Sequence, residues 1–311
     1  MKKDSKIYIA GHRGMVGSAI RRKLDALGYD NLLMATRDSL DLTRQESVEK
    51  WFEDSKPEFV FLAAAKVGGI AANMASPAEF FYDNMMIECN VIHMAFKTGT
   101  KRLLFLGSSC IYPRKCPQPM KEEYILTGPP EPTNEAYAVA KIAGLKMCQY
   151  YRTQYNFDAF TIVPPNLYGP RDNFSPQDSH VVAALIRKFH EAKVEDKDEV
   201  VIWGTGTARR ELMYVEDLAD AAVFLMNNYD QHDFINVGTD SDVSILELAQ
   251  TIMDVIGFEG KIELDKSKPD GMPRKLMDSS RFEAMDWDDI TPLEEGIEKT
   301  YEWYCRNVAS S

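Results

Sequence analysis

A tyrosine and a lysine stand four positions apart, at Tyr137 and Lys141, directly after a turn-forming segment at residues 131–135. Positions four apart lie on one face of a helix, so this spacing brings the phenol beside the ammonium group. A free tyrosine titrates near about 10, and an adjacent cation favours the phenolate and lowers its pKa. Tyr137 is therefore a candidate proton donor to a carbonyl under reduction. The alternative is an ordinary surface pair, because tyrosine and lysine at this spacing are common on helices.

A glycine loop follows the first predicted strand, which covers residues 7–10, and an amphipathic helix follows the loop. In such a unit, glycines let the backbone approach a pyrophosphate at the amino terminus of the helix. The spacing is G-x-x-G-x-x-G rather than G-x-G-x-x-G, and a merely tight turn is the alternative. Its place at the start of a βαβ pattern favours a dinucleotide site. The expected contacts come from Gly11, His12, Arg13, Gly14, Met15, Val16 and Gly17.

Two arginines indicate which dinucleotide the loop would bind. In an NAD site, an acidic residue about 20 positions past the glycines binds the ribose hydroxyls. That position carries Arg37 here, and Arg13 lies within the loop itself. Guanidinium groups bind a 2′-phosphate that a carboxylate would repel, so the sequence favours NADP(H), unless both arginines are simply solvated. Asp41 and Leu42 are expected beside the adenine ring.

Alternating strands and helices predict an α/β fold with a Rossmann-type, doubly wound parallel sheet through about residue 170. Further strands are expected at residues 31–36, 59–62, 103–106 and 160–163, and a long helix at residues 77–97. We assign residues 1–170 to this NADP-binding domain. Residues 171–311 are assigned mainly to a smaller mixed α/β substrate domain, from which short segments return to the first. Ser108 and Cys110 follow the fourth strand, where the carboxyl ends of parallel strands line the ligand crevice.

Two predicted helices carry more apolar residues than one buried stripe requires. One spans residues 77–97, and the other begins near Tyr137. Each would cover the sheet and also a second partner. Paired across a two-fold axis, two such helices per subunit predict a homodimer with a four-helix interface.

The overall composition limits the class of partner. A formal net charge of −12 argues against general binding to nucleic acid or to an anionic membrane. No apolar run approaches the roughly 18 residues that span a bilayer, and we expect no signal sequence. Five cysteines without metal-ligand spacing favour a reducing, cytoplasmic setting and no metal site. A nucleotide-sugar diphosphate would bind among the basic pairs at residues 187–188, 209–210 and 274–275, with Lys268 nearby.

Six stretches of the sequence carry a specific resemblance. They are AGHRGMVGS at residues 10–18, AAAKVGG at 63–69, LGSSCIYP at 106–113, EPTNE at 131–135, NLYGP with DNF at 166–174, and KPDG at 268–271. With them the chain resembles the extended short-chain dehydrogenase/reductase superfamily over nearly its whole length. The resemblance implies an NADPH-dependent enzyme that epimerises C3 and C5 of GDP-4-keto-6-deoxy-D-mannose and reduces its C4 ketone, giving GDP-L-fucose. Another nucleotide-sugar reductase or epimerase of this superfamily is the alternative.

The same resemblance implies roles for individual residues. Cys110 and His180 would exchange protons on opposite faces of the sugar; without the resemblance, they would be a packing cysteine and an exposed loop histidine. Tyr137 would protonate the C4 oxygen, Lys141 would tune it and hold the nicotinamide ribose, and Ser108 would hydrogen-bond the carbonyl. The remaining cofactor contacts would come from Ala64, Leu106, Gly107, Ser109, Pro164, Pro165, Asn166 and Leu167, with Ser108, Lys141 and His180 shared. The substrate contacts would come from Lys188, Trp203, Arg210 and Asp270, together with Arg274 of the basic pairs. The effect of Arg171 on substrate contacts stays open.

Three other classes can be weighed on these residues. A nucleotide-sugar 4,6-dehydratase uses a threonine and an acidic pair where this chain has residues 108–110, so elimination chemistry lacks its acid and base. A 4-epimerase that retains NAD would carry an acidic residue in place of Arg37. A non-catalytic NADP sensor can lose the tyrosine–lysine pair, yet Ser108, Tyr137 and Lys141 are all present.

Overall fold

The structure is a computed structural model, and it describes residues 1–176, 179–268, 270 and 272–309. The strands are β1 (Ile7–Ala10), β2 (Leu32–Leu33), β3 (Phe59–Leu62), β4 (Arg102–Leu106), β5 (Ala159–Val163), β6 (Asn166–Tyr168), β7 (Glu199–Trp203), β8 (Arg209–Tyr214), β9 (Ile235–Asn236), β10 (Asp242–Ser244), β11 (Lys261–Asp265) and β12 (Arg274–Lys275). The helices are α1 (Met15–Ala26), α2 (Gln45–Ser55), α3 (Ile70–Ala75), α4 (Pro77–Lys97), α5 (Glu135–Tyr155), α6 (Val181–Val194), α7 (Val215–Asn228), α8 (Ile245–Ile256), α9 (Ser280–Glu283) and α10 (Leu293–Tyr304). Pro269 and Gly271 of the KPDG stretch lie outside the described residues.

The main sheet of the described chain has the strand order β2-β1-β3-β4-β5-β9, and every neighbouring pair is parallel. β1 and β5 are buried along their whole length, which suits a sheet covered on both faces. The predicted doubly wound fold is confirmed. The second strand is shorter than predicted, because a turn closed by the carbonyl of Thr36 follows soon after Leu33.

Two helical layers cover the main sheet. On one face, α4 and α5 pack on each other around a core that includes Val91, Phe105 and Leu145. On the other face, α1 and α7 pack together around a core that includes Ile20 and Leu218. The bounds of α4 agree with the prediction, since a proline suits the first turn of a helix. Across the described residues, no helix has the length and apolar character that a membrane crossing requires.

The later part of the chain forms a smaller mixed unit around β8. There β10 pairs antiparallel with β8, whereas β6 and β12 pair with it in parallel. The parallel pair β7 and β11 stands apart from these strands. Helices α6, α8 and α10 contribute to a core that includes Ile186, Leu248 and Ile297. Strand β9 extends the main sheet instead, where Ile235 pairs with Ile162 of β5.

The proline-rich segment at residues 113–132 is fastened to the later part of the chain. Met120 is fully buried and forms a β-bridge with Met277. The side-chain amide of Asn236 donates to the carbonyl of Met120 at 3.0 Å, and its oxygen accepts the Tyr112 hydroxyl at 2.5 Å. The backbone N–H of Asn236 donates to Glu122 at 3.1 Å. These contacts join the loop, β9 and the segment after β12 into one buried cluster.

Candidate active site

The glycine loop is shaped by close approaches of the backbone to itself. Gly11 has a φ of +87°, and a Cβ there would lie 2.8 Å from the backbone nitrogen of Ala64. A Cβ at Gly17 would lie 2.2 Å from the carbonyl oxygen of Gly11. Both contacts are with backbone atoms that cannot easily move. Side chains are therefore excluded from both positions, and the loop lies against the chain that follows β3.

The start of α1 is suited to an anion. Gly14 precedes the helix, no side chain caps its first N–H groups, and its first turn contains no acidic residue. Such a helix end favours a phosphate through its free donors and its dipole. Burial, with Arg13 and Arg171 nearby, lowers the pKa of His12. Within the described chain, the buried Nδ1 atom of His12 has no hydrogen-bond partner. The residues present therefore fit a dinucleotide pyrophosphate.

The residues expected at the adenine end lie beyond β2. Arg13 and Arg37 are exposed, whereas Asp41 and Leu42 are half-buried. Burial acts to raise the pKa of Asp41, but hydrogen bonds from Thr43 and the charge of Arg37 outweigh it, so this pKa is lowered overall. Asp41 is therefore ionised and held by its own loop, while both guanidinium groups are accessible to a ligand.

Helix α5 and the end of β4 bring the expected reductive groups together. Lys141 lies one turn after Tyr137, with its Nζ atom 5.8 Å from the centre of the phenol ring. The same ammonium lies 3.2 Å from a carboxylate oxygen of Glu88 on α4. Ser108 follows β4, and its hydroxyl oxygen accepts the backbone N–H of Cys110 at 3.4 Å. A phenol, an ammonium, a hydroxyl and a thiol therefore share one end of the sheet.

The pKa of Tyr137 moves in the opposite direction to the prediction. Burial raises it well above 10, negative charge on Cys110 and Glu88 raises it further, and a hydrogen bond with Ser108 opposes the rise. The predicted lowering by Lys141 was wrong, chiefly because the phenol is buried and secondarily because Glu88 balances the charge of that ammonium. Tyr137 is therefore a protonated donor at neutral pH.

Cys110 lies in the interior beside a lysine. Its side chain is 5% exposed, and burial raises the pKa of the thiol, with Lys275 the leading charge that opposes the rise. The pKa of Lys275 is lowered by burial, and Cys110 opposes that change. The ammonium of Lys275 lies 3.4 Å from the hydroxyl of Ser109. A thiolate formed at Cys110 would therefore have Lys275 as its counter-ion.

His180 precedes α6 and pairs with an aspartate. Its Nδ1 atom lies 3.8 Å from a carboxylate oxygen of Asp172, and its side chain is 48% exposed. Asp172 raises the pKa of His180, with burial acting in the opposite direction. The protonated imidazolium is therefore favoured, and His180 can serve as a proton donor near neutral pH. His180 and Cys110 come from separate elements, the start of α6 and the end of β4.

The residues expected near the nicotinamide lie where β4 and β5 end. The backbone N–H of Ser109 donates to the carbonyl of Pro164 at 3.2 Å. A Cβ at Gly107 would lie 3.0 Å from the side chain of Thr161, so the strands approach closely there. A small cavity is lined by residues that include Ser109, Pro165, Asn166 and Lys275. Ala64, Leu106 and Leu167 are partly buried against the two cores beside the sheet.

Two of the expected substrate residues meet at the outer end of β7. The indole of Trp203 is 63% exposed. The Nζ atom of Lys188 lies 5.9 Å from its ring, and that of Lys268 lies 5.4 Å away. Asp270 accepts hydrogen bonds from the backbone N–H and hydroxyl of Thr205, at 2.6 and 2.9 Å. An open aromatic surface with two cations therefore stands near the turn after β7.

The basic pair at residues 274–275 is divided between two environments. Arg274 lies 2.5 Å from a carboxylate oxygen of Asp242, which also binds Arg209 at 2.7 Å. Its neighbour Lys275 turns inward toward Cys110 instead. Arg210 donates to the carbonyl of Met272 at 2.7 Å. Only part of the predicted basic cluster is therefore accessible to a diphosphate.

Sequence reasoning missed two residues at this site and misplaced a third. Glu88 has one visible signal, a carboxylate that stands among the apolar residues in the middle of α4. Asp172 lies within the DNF stretch, but nothing in the spacing links it to His180. Lys275 was assigned to the diphosphate, whereas it lies beside the thiol.

A family model described as the NAD dependent epimerase/dehydratase family matches residues 7–238. The chain belongs to this family. The resemblance drawn from the six sequence stretches is thus confirmed. Among curated members, a protein named probable GDP-L-fucose synthase 1, from Oryza sativa subsp. japonica, is 56% identical over 99% of this chain and 94% of its own length.

Two solved structures of the family are similar to this chain over nearly all of both lengths. A GDP-6-OMe-4-keto-L-xylo-heptose reductase from Campylobacter jejuni has a TM-score of 0.94 and 39% identity, covering 98% of this chain and 99% of its own. A GDP-L-fucose synthetase from Naegleria fowleri, solved bound to NADP, has a TM-score of 0.92 and 26% identity, covering 100% and 97%.

Proposed function

We propose that this chain converts GDP-4-keto-6-deoxy-D-mannose into GDP-L-fucose, by epimerising C3 and C5 and reducing the C4 ketone with NADPH. The observation that carries the proposal is the placement of a buried thiol, Cys110, beside the reductive residues Ser108 and Tyr137 at the end of β4. A simple reductase would need no such thiol. The relative from rice, at 56% identity, supports the same reaction.

The epimerising half uses two groups that differ in protonation. Burial favours the thiol form of Cys110, and Lys275 opposes this effect and would be the counter-ion of the thiolate; once ionised, Cys110 removes the proton that the ketone acidifies on C3 or C5. The electron pair moves onto the C4 oxygen, where the hydroxyl of Ser108 can donate a hydrogen bond to the enolate. His180, kept protonated by Asp172, returns a proton to the opposite face of the same carbon. The two groups must exchange their proton before the second carbon reacts.

The reductive half is the last step of the proposed reaction. NADPH, when bound, supplies a hydride to C4. Tyr137 donates its proton to the oxygen, and the resulting phenolate forms beside Lys141. Arg13, exposed within the glycine loop, and Arg37, exposed beyond β2, would bind the 2′-phosphate that distinguishes NADPH from NADH.

The later part of the chain is proposed to hold the GDP-sugar. The exposed indole of Trp203 can stack on the base, with Lys188 beside it. Arg210 of β8 stands opposite Lys275 of β12, whereas Arg274 stands opposite Arg209, so the guanidinium groups of Arg210 and Arg274 lie on opposite faces of this strand pair. We assign residues 1–170 mainly to the cofactor and residues 171–311 mainly to the substrate.

A homodimer in the cytoplasm is proposed on two separate observations. Helices α4 and α5 pack side by side and leave large aromatic side chains exposed, at 57% for Tyr82 and 65% for Tyr150. A second copy would cover them. The thiols of Cys89, Cys110, Cys116 and Cys148 are free, which fits a reducing compartment.

The test is incubation with GDP-4-keto-6-deoxy-D-mannose and NADPH in deuterated water, with the product identified by NMR. We expect GDP-L-fucose that carries deuterium at C3 and C5. Cys110→Ser should abolish this deuterium incorporation, because serine is too weak an acid to form the needed base, while the matched control Cys116→Ser should retain it. Normal exchange in Cys110→Ser would remove this thiol from the mechanism.

A second candidate function is reduction of a GDP-4-keto sugar at C4 without epimerisation. The Campylobacter jejuni reductase, with a TM-score of 0.94 to this chain, favours it. The same incubation separates the two reactions. Oxidation of NADPH by the wild type with no deuterium at C3 or C5 would support the simple reductase.

A further inference from the structure

Glu88 is a buried carboxylate whose charged partner is Lys141. It lies in the middle of α4 and is 1% exposed. Its carboxylate lies 3.2 Å from the ammonium of Lys141, and both side chains are 2% exposed. Across the described chain, neither oxygen of Glu88 has a hydrogen bond of good geometry. The contact is therefore an ion pair, and a buried carboxylate is retained in a protein only where something balances its charge.

The structure makes room for this ion pair at the expense of helix stability. Gly144 stands in the interior of α5, where glycine is unfavourable. A Cβ at this position would lie 2.6 Å from the second oxygen of Glu88 and 2.7 Å from the ring of Phe105. The small residue thus lets the carboxylate reach across from α4. An alanine at this position would displace either the carboxylate or the ring.

The ammonium of Lys141 is held from three directions. Besides Glu88, it donates to the carbonyl of Leu106 at 3.1 Å. It also lies 4.5 Å from the centre of the Phe105 ring on β4. The flexible side chain of a lysine is therefore fixed beneath Tyr137. Burial raises the pKa of Glu88 to about 7 and Lys141 opposes the rise, so above that pH Glu88 supplies the negative charge among these contacts.

We infer that Glu88 is a positioning residue for the reductive step, which holds the Lys141 ammonium under Tyr137 and sets the charge that Tyr137 experiences. The inference rests on the proposed function. Burial is the main cause that raises the pKa of Tyr137, and negative charge on Cys110 and then on Glu88 adds to it, so Glu88 helps to keep the phenol protonated until the hydride has moved. The other titratable groups facing this pocket are Cys110 from the end of β4, Cys148 on α5 and Cys89 on α4.

The test compares Glu88→Gln with Glu88→Asp, because charge and shape change separately in these two variants. Glutamine keeps the shape and loses the charge, whereas aspartate keeps the charge and shortens the side chain. For Glu88→Gln we expect the rate of hydride transfer to fall by about tenfold. This is a fraction of the rate enhancement that general acid catalysis supplies. We also expect the basic limb of its kcat profile to move to lower pH, since loss of the negative charge lowers the pKa of Tyr137. Glu88→Asp should retain the position of that limb.

Further measurements and a control variant separate this role from a role in packing alone. Deuterium exchange at C3 and C5 and the KM for the GDP-sugar should stay within about twofold of the wild type, since neither depends on the phenol. Glu53→Gln, an exposed glutamate on α2, is the matched control and should behave as the wild type. A role in packing alone would instead make Glu88→Asp the more impaired variant and leave the pH profile in place, which overturns the inference.

The proposed function and this inference fail in different ways. A wild-type protein that neither exchanges nor reduces the substrate would overturn both. A wild type that turns over normally, beside a Glu88→Gln variant with the same hydride-transfer rate and pH profile, would overturn the inference alone.

Discussion

Glu211 offers a prediction whose size follows from the structure. This residue of β8 is 1% exposed and accepts the backbone N–H groups of Thr239 and Met277 at 2.6 and 2.8 Å. Burial is the main cause that raises the pKa of Glu211 from 4.5 to about 7. Because the folded state then binds the proton more tightly than the unfolded chain, this group stabilises the fold most below pH 4.5. That contribution is lost as the pH rises to about 7.

The contribution of Glu211 to the free energy of unfolding should fall by about 3 kcal/mol between its two pKa values, 4.5 and about 7. Each tenfold change in proton affinity corresponds to about 1.4 kcal/mol. Glu211→Gln is neutral throughout this range, so it should lack the part of the decline that Glu211 contributes. The part from Glu88, whose pKa is also raised to about 7, should remain in both proteins. The variant also loses one of two acceptors, which lowers the free energy of unfolding by about 1–3 kcal/mol at every pH. The wild type should therefore be more stable than the variant at low pH, and this advantage should vanish or reverse by about pH 7, where the wild type has lost about 3 kcal/mol.

The assay is urea unfolding of both proteins at a series of pH values across this range, followed by tryptophan fluorescence and circular dichroism. Glu53→Gln on the surface of α2 serves as the control and should follow the wild-type curve. If Glu211→Gln also follows the wild-type curve at a constant offset, Glu211 is ionised in the folded protein at all these pH values. The reasoning about its burial would then be wrong.

Two further predictions concern the site directly. Arg37→Asp should weaken binding of NADPH by about 1–3 kcal/mol and leave NADH almost unaffected, because only NADPH has the phosphate that a guanidinium binds; fluorescence titration measures both, and an unchanged preference would rule out the NADP assignment. Asp172→Asn should lower the pKa of His180, because it removes the carboxylate that raises it, so the basic limb of the exchange rate should move to lower pH. NMR titration of the His180 ring checks this shift independently, with the exposed Asp196→Asn as control; an unmoved His180 titration would show that Asp172 does not hold the proton there.

The parts of the fold that sequence predicted are those set by local patterns. Helix α4 begins at Pro77 and ends at Lys97 as expected, because a proline suits the first turn of a helix and Gly99 adopts a φ of +81° just after its end. The four-residue spacing of Tyr137 and Lys141 likewise settled their shared helix face. Neither inference depends on contacts between segments that are distant in sequence.

The parts that sequence could not supply depend on contacts between distant segments. The pKa of Tyr137 was predicted in the wrong direction, because segments distant in sequence bury the phenol, and one of them brings the carboxylate of Glu88 to Lys141. Lys275 was assigned to a diphosphate with its neighbour Arg274, although the alternation of a strand sends adjacent side chains to opposite faces. Only the pairing of β12 with β8 decides which of the two faces the thiol.

The pairing of β9 with β5 has a consequence for the chain while it is being synthesised. Val163 at the end of β5 and Ile235 at the start of β9 are 72 positions apart. At about 5–20 residues per second, the nascent chain leaves the outer edge of β5 unpaired for roughly 4 to 15 seconds. That edge is an apolar strand with free backbone groups, the kind that recruits other chains. Residues 1–170 produced alone should therefore aggregate, and chaperones should bind the growing chain until residue 236 has emerged.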